Sequence, residues 1–423
     1  MNYKEAIDWL YSFEKFGIKL GLERITYICE KLGNPQNSYK IIHVGGTNGK
    51  GSLCKYLESI LFESGYSVGV YISPHIQRFS ERFVVNKKEI SESDVVLLVE
   101  KIKHIIDDMI KNKDIPTFFE IVTAMAFEYF KQKKIDFAII EVGLGGRFDA
   151  TNIVNPLVSV ITNVSLEHQD RLGKTIGDIS FEKSGIIKKN IPVVTAAKDD
   201  ALEVIKKVAK EKNTSITIVG NNYKKIKGGM DWQEFEIVGS LKTYNVKTSN
   251  GGGFQGENIA LSIATVEQLQ INGIYFTDDA IIEGIVNTVN PGRMEIFSFE
   301  PLIILDGAHN IAGITTLKKT LKEDFVYDKL ILVIGILSDK NVREMLETIT
   351  PIAEIVIVTK SQNSRAEDPE KLKEIVNRKE VVIRDRVTNA IDYAKEVASK
   401  KDMICITGSL FTVGEARDYL QKC

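Results

Sequence analysis

A glycine-rich segment, GGTNGKGS at residues 45–52, constrains the fold of this chain more than any other stretch. It follows an apolar run, Ile41 to Val44, and it precedes a helical pattern from Leu53 to Ser64. A strand, a glycine-rich turn and a helix in this order form a phosphate cradle, because glycines let backbone N–H groups approach the anion and the helix start adds partial positive charge. Lys50 adds a full charge. The segment therefore predicts a nucleoside triphosphate site; a glycine-rich turn without a ligand is the alternative.

Length and charge set further limits. At 423 residues the chain exceeds the usual size of one hydrophobic core, so we expect two domains. Its 43% hydrophobic and 26% charged residues are those of an ordinary soluble protein. A net charge of −2 provides no field for a polyanion, so nucleic acid is not expected as a partner. Any anion site must be local.

The cysteines and the N-terminus predict the compartment. Cys29, Cys54, Cys405 and Cys423 show no paired or metal-ligand spacing, which indicates ordinary buried thiols in a reducing environment. The first residues lack the basic-then-apolar order of a signal peptide, and no apolar run approaches the length of a membrane span. We therefore expect a cytoplasmic protein without membrane contact.

The pattern of apolar runs predicts an α/β fold. Continuous apolar strands alternate with helix-period segments, which indicates a parallel sheet covered on both faces. From Ile216 to Lys247 a period-two alternation predicts antiparallel strands at one side. A turn-forming group, Asn290 to Arg293, precedes a second βα series of about 125 residues. We expect a P-loop-type, mostly parallel sheet domain with antiparallel side strands at 1–292 and a smaller Rossmann-like α/β domain at 293–423.

Three strand ends carry side chains suited to a metal or a nucleotide. In an open parallel sheet, ligands gather at the carboxyl ends of the strands, so Glu141 should project near the phosphate loop, where a carboxylate can hold Mg²⁺. A surface ion pair is the alternative for Glu141. Ser73 and His168 follow neighbouring strands. Serine oxygen suits Mg²⁺, whereas imidazole is a less usual ligand for so hard an ion, and a histidine here is often only hydrogen-bonded.

Further short motifs follow the phosphate loop along the chain. In the loop itself, Gly51 separates Lys50 from Ser52, unlike the common P-loop. The other motifs are SPH at 73–75, EVGLGGRFDATN at 141–152, LEH at 166–168, EKSGII at 182–187, PGRME at 291–295, DGAHN at 306–310 and TGSLF at 407–411. In these motifs and their order, the chain resembles folylpolyglutamate synthases and dihydrofolate synthases of the Mur ligase superfamily from Val44 to Phe411. Several motifs in order are far more specific than one loop.

The resemblance implies roles for individual residues. It implies catalytic roles for Lys50, Lys183 and His168, and two Mg²⁺ ions bound through Ser73, Glu141 and His168. The implied nucleotide contacts are Asn48, Gly49, Lys50, Gly51, Ser52, Asn258, Arg293 and Asp306. The implied substrate contacts are Arg147, Asp149 and Ala150 for the folate, and His309 and Ser409 for the incoming glutamate. A cleft between the two domains would exclude water from a hydrolysable intermediate.

Lys183 is a special case. The resemblance implies a carbamylated lysine, formed when the neutral amine captures CO₂, so that a carboxylate-like anion replaces an ammonium beside the metal ions. The alternative is a helix-surface lysine in a solvated Glu–Lys pair. The chain also departs from the family pattern at Glu167, Ser184 and Asn341; the longer Glu167 side chain is expected to alter the support of His168.

The resemblance implies an ATP-dependent ligase that transfers a γ-phosphoryl group to a folate or pteroate carboxylate and joins the product to L-glutamate. Arg147 favours an enzyme that acts on dihydropteroate as well as on folates. We expect small-molecule substrates only and a monomer. A cell-wall Mur ligase is one alternative, although 44 residues before Gly45 leave little room for its N-terminal domain. A P-loop regulatory ATPase is another, although it leaves Asp306 to Asn310 unexplained.

Overall fold

The computed structural model describes residues 1–17, 19–229, 231–376 and 380–422. It contains two compact units. The first comprises Met1–Lys224, Glu236–Val246 and Glu257–Asn287, and the second Lys225–Phe235, Lys247–Gly256 and Thr288–Cys423. The division into domains at 1–292 and 293–423 stays a prediction.

An eight-stranded sheet organises the first unit. Its strands are β1 Lys40–Gly45, β2 Val68–Tyr71, β3 Phe83–Val85, β4 Lys88–Glu89, β5 Phe137–Glu141, β6 Val158–Ile161, β7 Val193–Thr195 and β8 Ile216–Ile218. They lie in the order β4-β3-β2-β5-β1-β6-β7-β8, and all adjacent pairs from β2 to β8 are parallel. This confirms the predicted mostly parallel sheet. The antiparallel strands β3 and β4 at one edge were not expected.

Helices cover this sheet because their apolar residues recur at helical spacing. They are α1 Tyr3–Tyr11, α2 Glu23–Lys31, α3 Lys50–Glu63, α4 Glu92–Lys111, α5 Phe118–Lys133, α6 Gln169–Leu172, α7 Ile176–Ser184, α8 Asp199–Glu211, α9 Gln255–Ile271 and α10 Asp278–Val286. In α4, for example, Val95, Leu98 and Ile102 are buried on one face. Helix α5 starts at a capping box, in which the Thr117 and Glu120 side chains bind each other's backbone N–H groups. Short 3₁₀ helices of the first unit span Glu14–Phe16, Pro35–Asn37, Phe79–Arg82 and Ala150–Ile153, and one in the second unit spans Thr350–Ile352.

The segment from Ile216 to Lys247 differs in part from the prediction. Strand β8 runs parallel to β7 and extends the main sheet, so its expected antiparallel pairing was wrong. The rest forms a separate three-stranded sheet in the order β11-β10-β9, with strands at Tyr223–Gly228, Gln233–Val238 and Thr243–Thr248 for β9, β10 and β11. In β8, Ile216–Ile218, the alternation of apolar and polar residues is too short to distinguish a parallel edge strand from a hairpin strand.

A six-stranded sheet organises the second unit, in the order β12-β13-β17-β14-β15-β16. Its strands are β12 Glu295–Phe299, β13 Leu302–Leu305, β14 Leu330–Ile334, β15 Ile355–Val358, β16 Val381–Ile383 and β17 Met403–Thr407. Its helices are α11 Ile311–Glu323, α12 Val342–Ile349, α13 Pro369–Ile375, α14 Val387–Val397 and α15 Leu410–Leu420. Strands β13 to β17 pair in parallel and contribute to two apolar clusters, which confirms the predicted second α/β sheet. The antiparallel edge strand β12 was not predicted.

Cys29, Cys54 and Cys405 are buried free thiols, and burial raises the pKa of each of them. Cys423 lies outside the described residues. Within the described ranges, no helix combines the length and apolar character needed to cross a membrane.

Candidate functional site

The phosphate loop joins β1 to α3, as predicted. Strand β1 ends at Gly45 and α3 begins at Lys50. Gly46 has φ 129°, and a Cβ atom there would lie 2.0 Å from Thr162 Oγ1. Gly49 has φ 85° and is the N-cap of α3. Both positions therefore require glycine, because L-residues rarely adopt this backbone conformation and Gly46 has no room for a side chain.

The segment after β6 holds the loop in shape. The Thr47 N–H donates to the Asn163 carbonyl at 2.8 Å, and the Asn48 N–H donates to Asn163 Oδ1 at 3.0 Å. The Thr162 hydroxyl donates to the Asn48 carbonyl at 2.6 Å. The turn is thus fixed by hydrogen bonds to residues that sequence analysis did not assign to the site.

The start of α3 has the chemistry of an anion site. The N-cap residue of this helix is Gly49, which has no side chain that could cap it. The first N–H groups of an α-helix have no intrahelical acceptor, and the helix dipole adds positive charge there. The Lys50 ammonium folds over the loop and donates to the Gly46 and Thr47 carbonyls at 3.1 and 2.9 Å. The structure thus places backbone donors and one full positive charge together.

Asn258, near the start of α9, belongs to the same neighbourhood. Its side chain is buried, and a Cβ atom on Gly49 would lie 2.7 Å from Asn258 Oδ1. The structure therefore brings Asn258 to the loop, as the family resemblance implied. Its contact with a nucleotide stays a prediction.

Ser73 and Glu141 meet at the carboxyl end of the sheet. Glu141 ends β5, is paired in register with Val44 of β1, and is only 5% exposed, so the alternative of a surface ion pair was wrong. The Ser73 N–H donates to Glu141 Oε2 at 3.2 Å. Ser73 Oγ is buried and has no hydrogen-bond partner among the described residues. A carboxylate beside an unsatisfied hydroxyl fits the oxygen ligands that Mg²⁺ prefers.

His168 lies between β6 and α6. It precedes α6 in a left-handed conformation with φ 46°, and its side chain is exposed. Within the part of the chain that the structure describes, no group of three or more His, Cys, Asp or Glu side chains could hold a metal ion. The place of His168 among the metal ligands stays a prediction.

Lys183 lies beneath the phosphate loop. It is 2% exposed, so the alternative of a solvated surface lysine was wrong. Its ammonium donates to the Gly46 carbonyl at 2.9 Å and to Glu167 Oε1 at 2.7 Å. The longer side chain of Glu167 thus reaches Lys183.

Burial and charge act in opposite directions on this pair. Burial lowers the pKa of Lys183, and the Glu167 carboxylate opposes that shift. Burial raises the pKa of Glu167, but the Lys183 and Lys50 ammonium groups outweigh it and hold that pKa at about 2. The Glu167 carboxylate is therefore favoured in its ionised form as long as Lys183 carries an ammonium group beside it.

Arg147 is bound to the end of α7. Its guanidinium forms an ion pair with Glu182 at 2.7 Å, and its backbone N–H donates to the Glu182 carbonyl at 2.8 Å. The guanidinium also lies 4.5 Å from the ring centre of Phe148 and 5.1 Å from that of Phe181. The side chain remains partly exposed, so it is held in place while still accessible to a ligand.

Asp149 and Ala150 lie further inside. Ala150 belongs to the apolar core of the first unit. The buried Asp149 carboxylate accepts hydrogen bonds from the Leu144 and Thr151 N–H groups at 2.8 and 3.0 Å. Burial raises the pKa of Asp149, and these hydrogen bonds oppose the shift. The carboxylate therefore shapes its own loop, and the substrate contacts of both residues stay predictions.

In the second unit, the loop after β13 is built around Asp306. Its buried carboxylate accepts from the Met294 and Ala308 N–H groups, each at 3.0 Å. Burial raises the pKa of Asp306, and the charge of Arg293 lowers it. Arg293 donates to the Gly307 carbonyl at 3.4 Å. These interactions are all within the protein, so the nucleotide contacts of Arg293 and Asp306 stay predictions.

The residues expected to bind glutamate also lie in loops of the second unit. His309 Nδ1 is 2.9 Å from the Gly307 carbonyl. Ser409 is the N-cap of α15 and accepts from the Thr412 N–H at 3.1 Å. Asn341 is likewise the N-cap of α12, which gives its loop a structural role. The glutamate contacts stay predictions.

Known proteins match the chain along nearly its whole length. The Mur ligase middle domain family matches residues 44–266, and the Mur ligase, glutamate ligase domain family matches residues 292–410. The chain is 36% identical over 432 residues to a dihydrofolate synthase/folylpolyglutamate synthase of Bacillus subtilis, with 99% of each chain covered. A folylpolyglutamate synthase structure from Thermotoga maritima has a TM-score of 0.87 and 38% identity, covering 99% of this chain and 96% of that one. Escherichia coli FolC in complex with DHPP and ADP has a TM-score of 0.87 and 31% identity, covering 99% and 98%.

Proposed function

The chain belongs to the folylpolyglutamate synthase/dihydrofolate synthase family of the Mur ligase superfamily, and we propose that it joins L-glutamate both to folates and to dihydropteroate. It is an ATP-dependent ligase of folates. The observation that carries the proposal is the uncapped start of α3 beside Lys50, in a chain that also matches the glutamate ligase domain. The Mur-type cell-wall ligase and the regulatory ATPase are not favoured.

The proposed reaction has two steps. A carboxylate oxygen of the folate attacks the γ-phosphorus of ATP, the bond to the β-phosphate oxygen breaks, and ADP leaves an acyl phosphate behind. The glutamate amine then attacks the acyl carbon, loses a proton and expels phosphate, which forms the amide. Lys50 and the N–H groups at the start of α3 stabilise the negative charge on the phosphoryl group during the first step.

We assign the metal-binding role to Ser73, Glu141 and His168. The unsatisfied Ser73 hydroxyl and the buried Glu141 carboxylate support the first two assignments. Mg²⁺ bound there, as two ions in our proposal, would neutralise charge on the phosphates. Ser73 and Glu141 would contribute oxygen ligands, while His168 would contribute a nitrogen.

We further propose that Lys183 is carbamylated in the active enzyme. The neutral amine would attack the carbon of CO₂, form an N–C bond and release a proton. Burial favours the neutral amine, whereas Glu167 favours the ammonium. Carbon-13 NMR of the metal-bound enzyme in labelled bicarbonate should show a carbamate carbon that Lys183→Ala lacks. An unmodified Lys183 in active enzyme would refute this assignment.

The substrate assignment is tested by ATP-dependent phosphate release. Dihydropteroate and tetrahydrofolate are supplied separately, each with and without L-glutamate, and the amide products are identified by mass. We expect glutamate-dependent turnover with both. Turnover with tetrahydrofolate alone would restrict the enzyme to polyglutamate synthesis, and turnover with neither would refute the proposal.

The environment of the enzyme is also proposed from its sequence. We propose a cytoplasmic monomer, supported by cysteines whose spacing gives no disulfide framework and of which Cys29, Cys54 and Cys405 are buried. Light scattering of the purified chain should give the mass of one copy, 47.4 kDa.

A further inference from the structure

A histidine lies inside the strand that leads to the phosphate loop. His43 belongs to β1, two residues before Gly45, and its side chain is fully buried. Its strand neighbours Ile41, Ile42 and Val44 are apolar. Burying an imidazole costs free energy unless its polar atoms are hydrogen-bonded, so a polar side chain at this position needs a reason.

The hydrogen bonds of His43 have a defined direction. His43 Nε2 lies 2.8 Å from Thr151 Oγ1, and the Thr151 hydroxyl in turn donates to the Asp149 carboxylate. Because the hydroxyl proton is directed to Asp149, the Thr151 oxygen accepts, and His43 Nε2 must carry the donated proton. Burial lowers the pKa of His43 to about 3, which keeps the ring neutral. His43 Nδ1 has no hydrogen-bond partner among the described residues.

Asp149, at the other end of this series of hydrogen bonds, fixes the loop that carries Arg147. Asp149 Oδ2 accepts from the Leu144 N–H at 2.8 Å, while Oδ1 binds the Thr151 N–H and hydroxyl. The turn between Leu144 and Asp149 includes Gly145, with φ 67°, and it is closed by these bonds. A continuous path of hydrogen bonds therefore runs from β1 to the loop at 144–149, and it is buried from His43 to Asp149.

We propose that His43 and Thr151 are positioning residues for the ligase reaction, holding the loop at 144–149 in register with the strand that ends in the phosphate loop. This rests on the proposed function, in which the loop binds the folate through Arg147 and Asp149. Neither residue touches a substrate in this proposal. They act through Asp149, whose carboxylate would otherwise be free to rotate and release the Leu144 N–H.

A matched pair of substitutions at Thr151 tests the hydrogen bond apart from packing. Thr151→Val keeps the shape and removes the hydroxyl, whereas Thr151→Ser keeps the hydroxyl. In the full chain we expect Thr151→Val to raise KM for dihydropteroate or tetrahydrofolate about tenfold or more, as loss of a buried hydrogen bond to a carboxylate implies. KM for ATP should change less than about twofold, and Thr151→Ser should stay within about threefold of wild type on both.

A second pair tests the other end of the path and covers the case in which Thr151→Val does not fold. In His43→Gln the amide can donate near the position of Nε2, whereas in His43→Asn it is too short to reach Thr151. We expect His43→Gln to resemble wild type and His43→Asn to raise KM for the pterin substrate selectively. Nitrogen-15 NMR of wild type should show the proton of His43 on Nε2 from pH 6 to 8.

The outcomes separate this proposal from the function it rests on. If the wild-type enzyme is inactive with every pterin substrate, the proposed function is refuted. The nitrogen that carries the His43 proton in the NMR experiment then still shows whether the hydrogen bond from His43 to Thr151 exists. An active wild type with unchanged Thr151→Val kinetics overturns the positioning role. The positioning role is also overturned if KM for the pterin substrate and KM for ATP rise equally in both Thr151→Val and Thr151→Ser. A proton found on His43 Nδ1 would overturn it as well.

Discussion

Alanine at Gly46 should damage the phosphate loop itself. The new Cβ atom would lie 2.0 Å from Thr162 Oγ1 and 2.8 Å from the Thr162 backbone nitrogen. Thr162 directly follows β6, and its N–H donates to the Gly45 carbonyl at 2.9 Å, so its backbone cannot retreat easily and the loop must move instead. The residue also holds φ 129°, a conformation that side chains other than glycine rarely adopt.

The expected loss has two parts. A non-glycine residue in such a conformation costs about 1–3 kcal/mol. Displacing the Thr162 side chain breaks its hydrogen bond to the Asn48 carbonyl, which contributes about 0.5–1.5 kcal/mol. Together these terms predict that Gly46→Ala lowers the free energy of unfolding by about 1.5–4.5 kcal/mol, or that the loop adopts a different conformation in which both losses are smaller.

Gly51 provides the matched comparison in the same loop. It lies in the first turn of α3, and a Cβ atom there would have no heavy atom within 4 Å apart from its chain neighbours and the nearby backbone of the helix itself. Gly51→Ala should therefore stabilise the chain by about 0.5–1 kcal/mol, because alanine is the better helix former. The same methyl group would occupy the open space at the helix start, where we expect the phosphates to bind.

Denaturant unfolding and calorimetric titration with ADP measure the two effects. Gly46→Ala should show a lower unfolding midpoint and weak ADP binding. Gly51→Ala should show an unchanged or higher midpoint, and still bind ADP more weakly than wild type. A Gly46→Ala protein with wild-type stability and ADP affinity would refute the steric argument, and wild-type affinity in Gly51→Ala would place the phosphates elsewhere.

Other changes give distinct results. Lys50→Ala should abolish ligation with a melting curve near wild type, and near-normal ligation would contradict the phosphate role of its charge. Glu141→Ala should raise the Mg²⁺ concentration needed for half-maximal activity, and an overlaid titration curve would remove Glu141 from the metal site. Because the pKa of His43 is about 3 in the folded state and about 6.5 unfolded, only the unfolded chain gains this proton as pH falls from 6.5 toward 3. His43 should therefore cost about 1.4 kcal/mol of stability at pH 5.5, a pH dependence that His43→Gln should lack in denaturant melts. The fully buried Glu267 carboxylate accepts from the Ser240 and Leu241 N–H groups at 2.6 and 3.1 Å. Glu267→Gln should therefore destabilise the chain by about 1–3 kcal/mol. An unchanged melting curve would show that the glutamine amide can satisfy both N–H groups.

The central parallel strands were predictable because each is buried on both faces and reads as a continuous apolar run. The pairing of the edge strands β4, β8 and β12 was not predictable. Strand β4 consists of Lys88 and Glu89, both exposed, and carries no apolar signal. Its pairing depends on the neighbouring strand β3, which the local sequence does not specify.

The site was predictable where glycine or strand position determines it. Gly46 and Gly49 marked the phosphate loop, and Glu141 followed from the end of β5. The partner of Lys183 was not predictable, because Glu167 lies 16 residues away and only the turn at α6 brings it back. His43 was missed because a single polar residue within an apolar run looks like part of the strand, although that exception was itself the available signal.

The partners of the phosphate loop also determine when it can form. The Asn48 carbonyl accepts a hydrogen bond from Thr162, 114 positions later, and the Asn48 N–H donates one to Asn163, 115 positions later. The Gly46 carbonyl accepts from Lys183, which is 137 positions later. At a synthesis rate of about 5–20 residues per second, that last partner is made about 7–27 seconds after the loop. A nascent chain that ends before β6 therefore has the complete loop sequence but lacks the contacts of the loop with Thr162, Asn163 and Lys183. Nucleotide binding by this chain is acquired late in synthesis, after most of the first unit has been made.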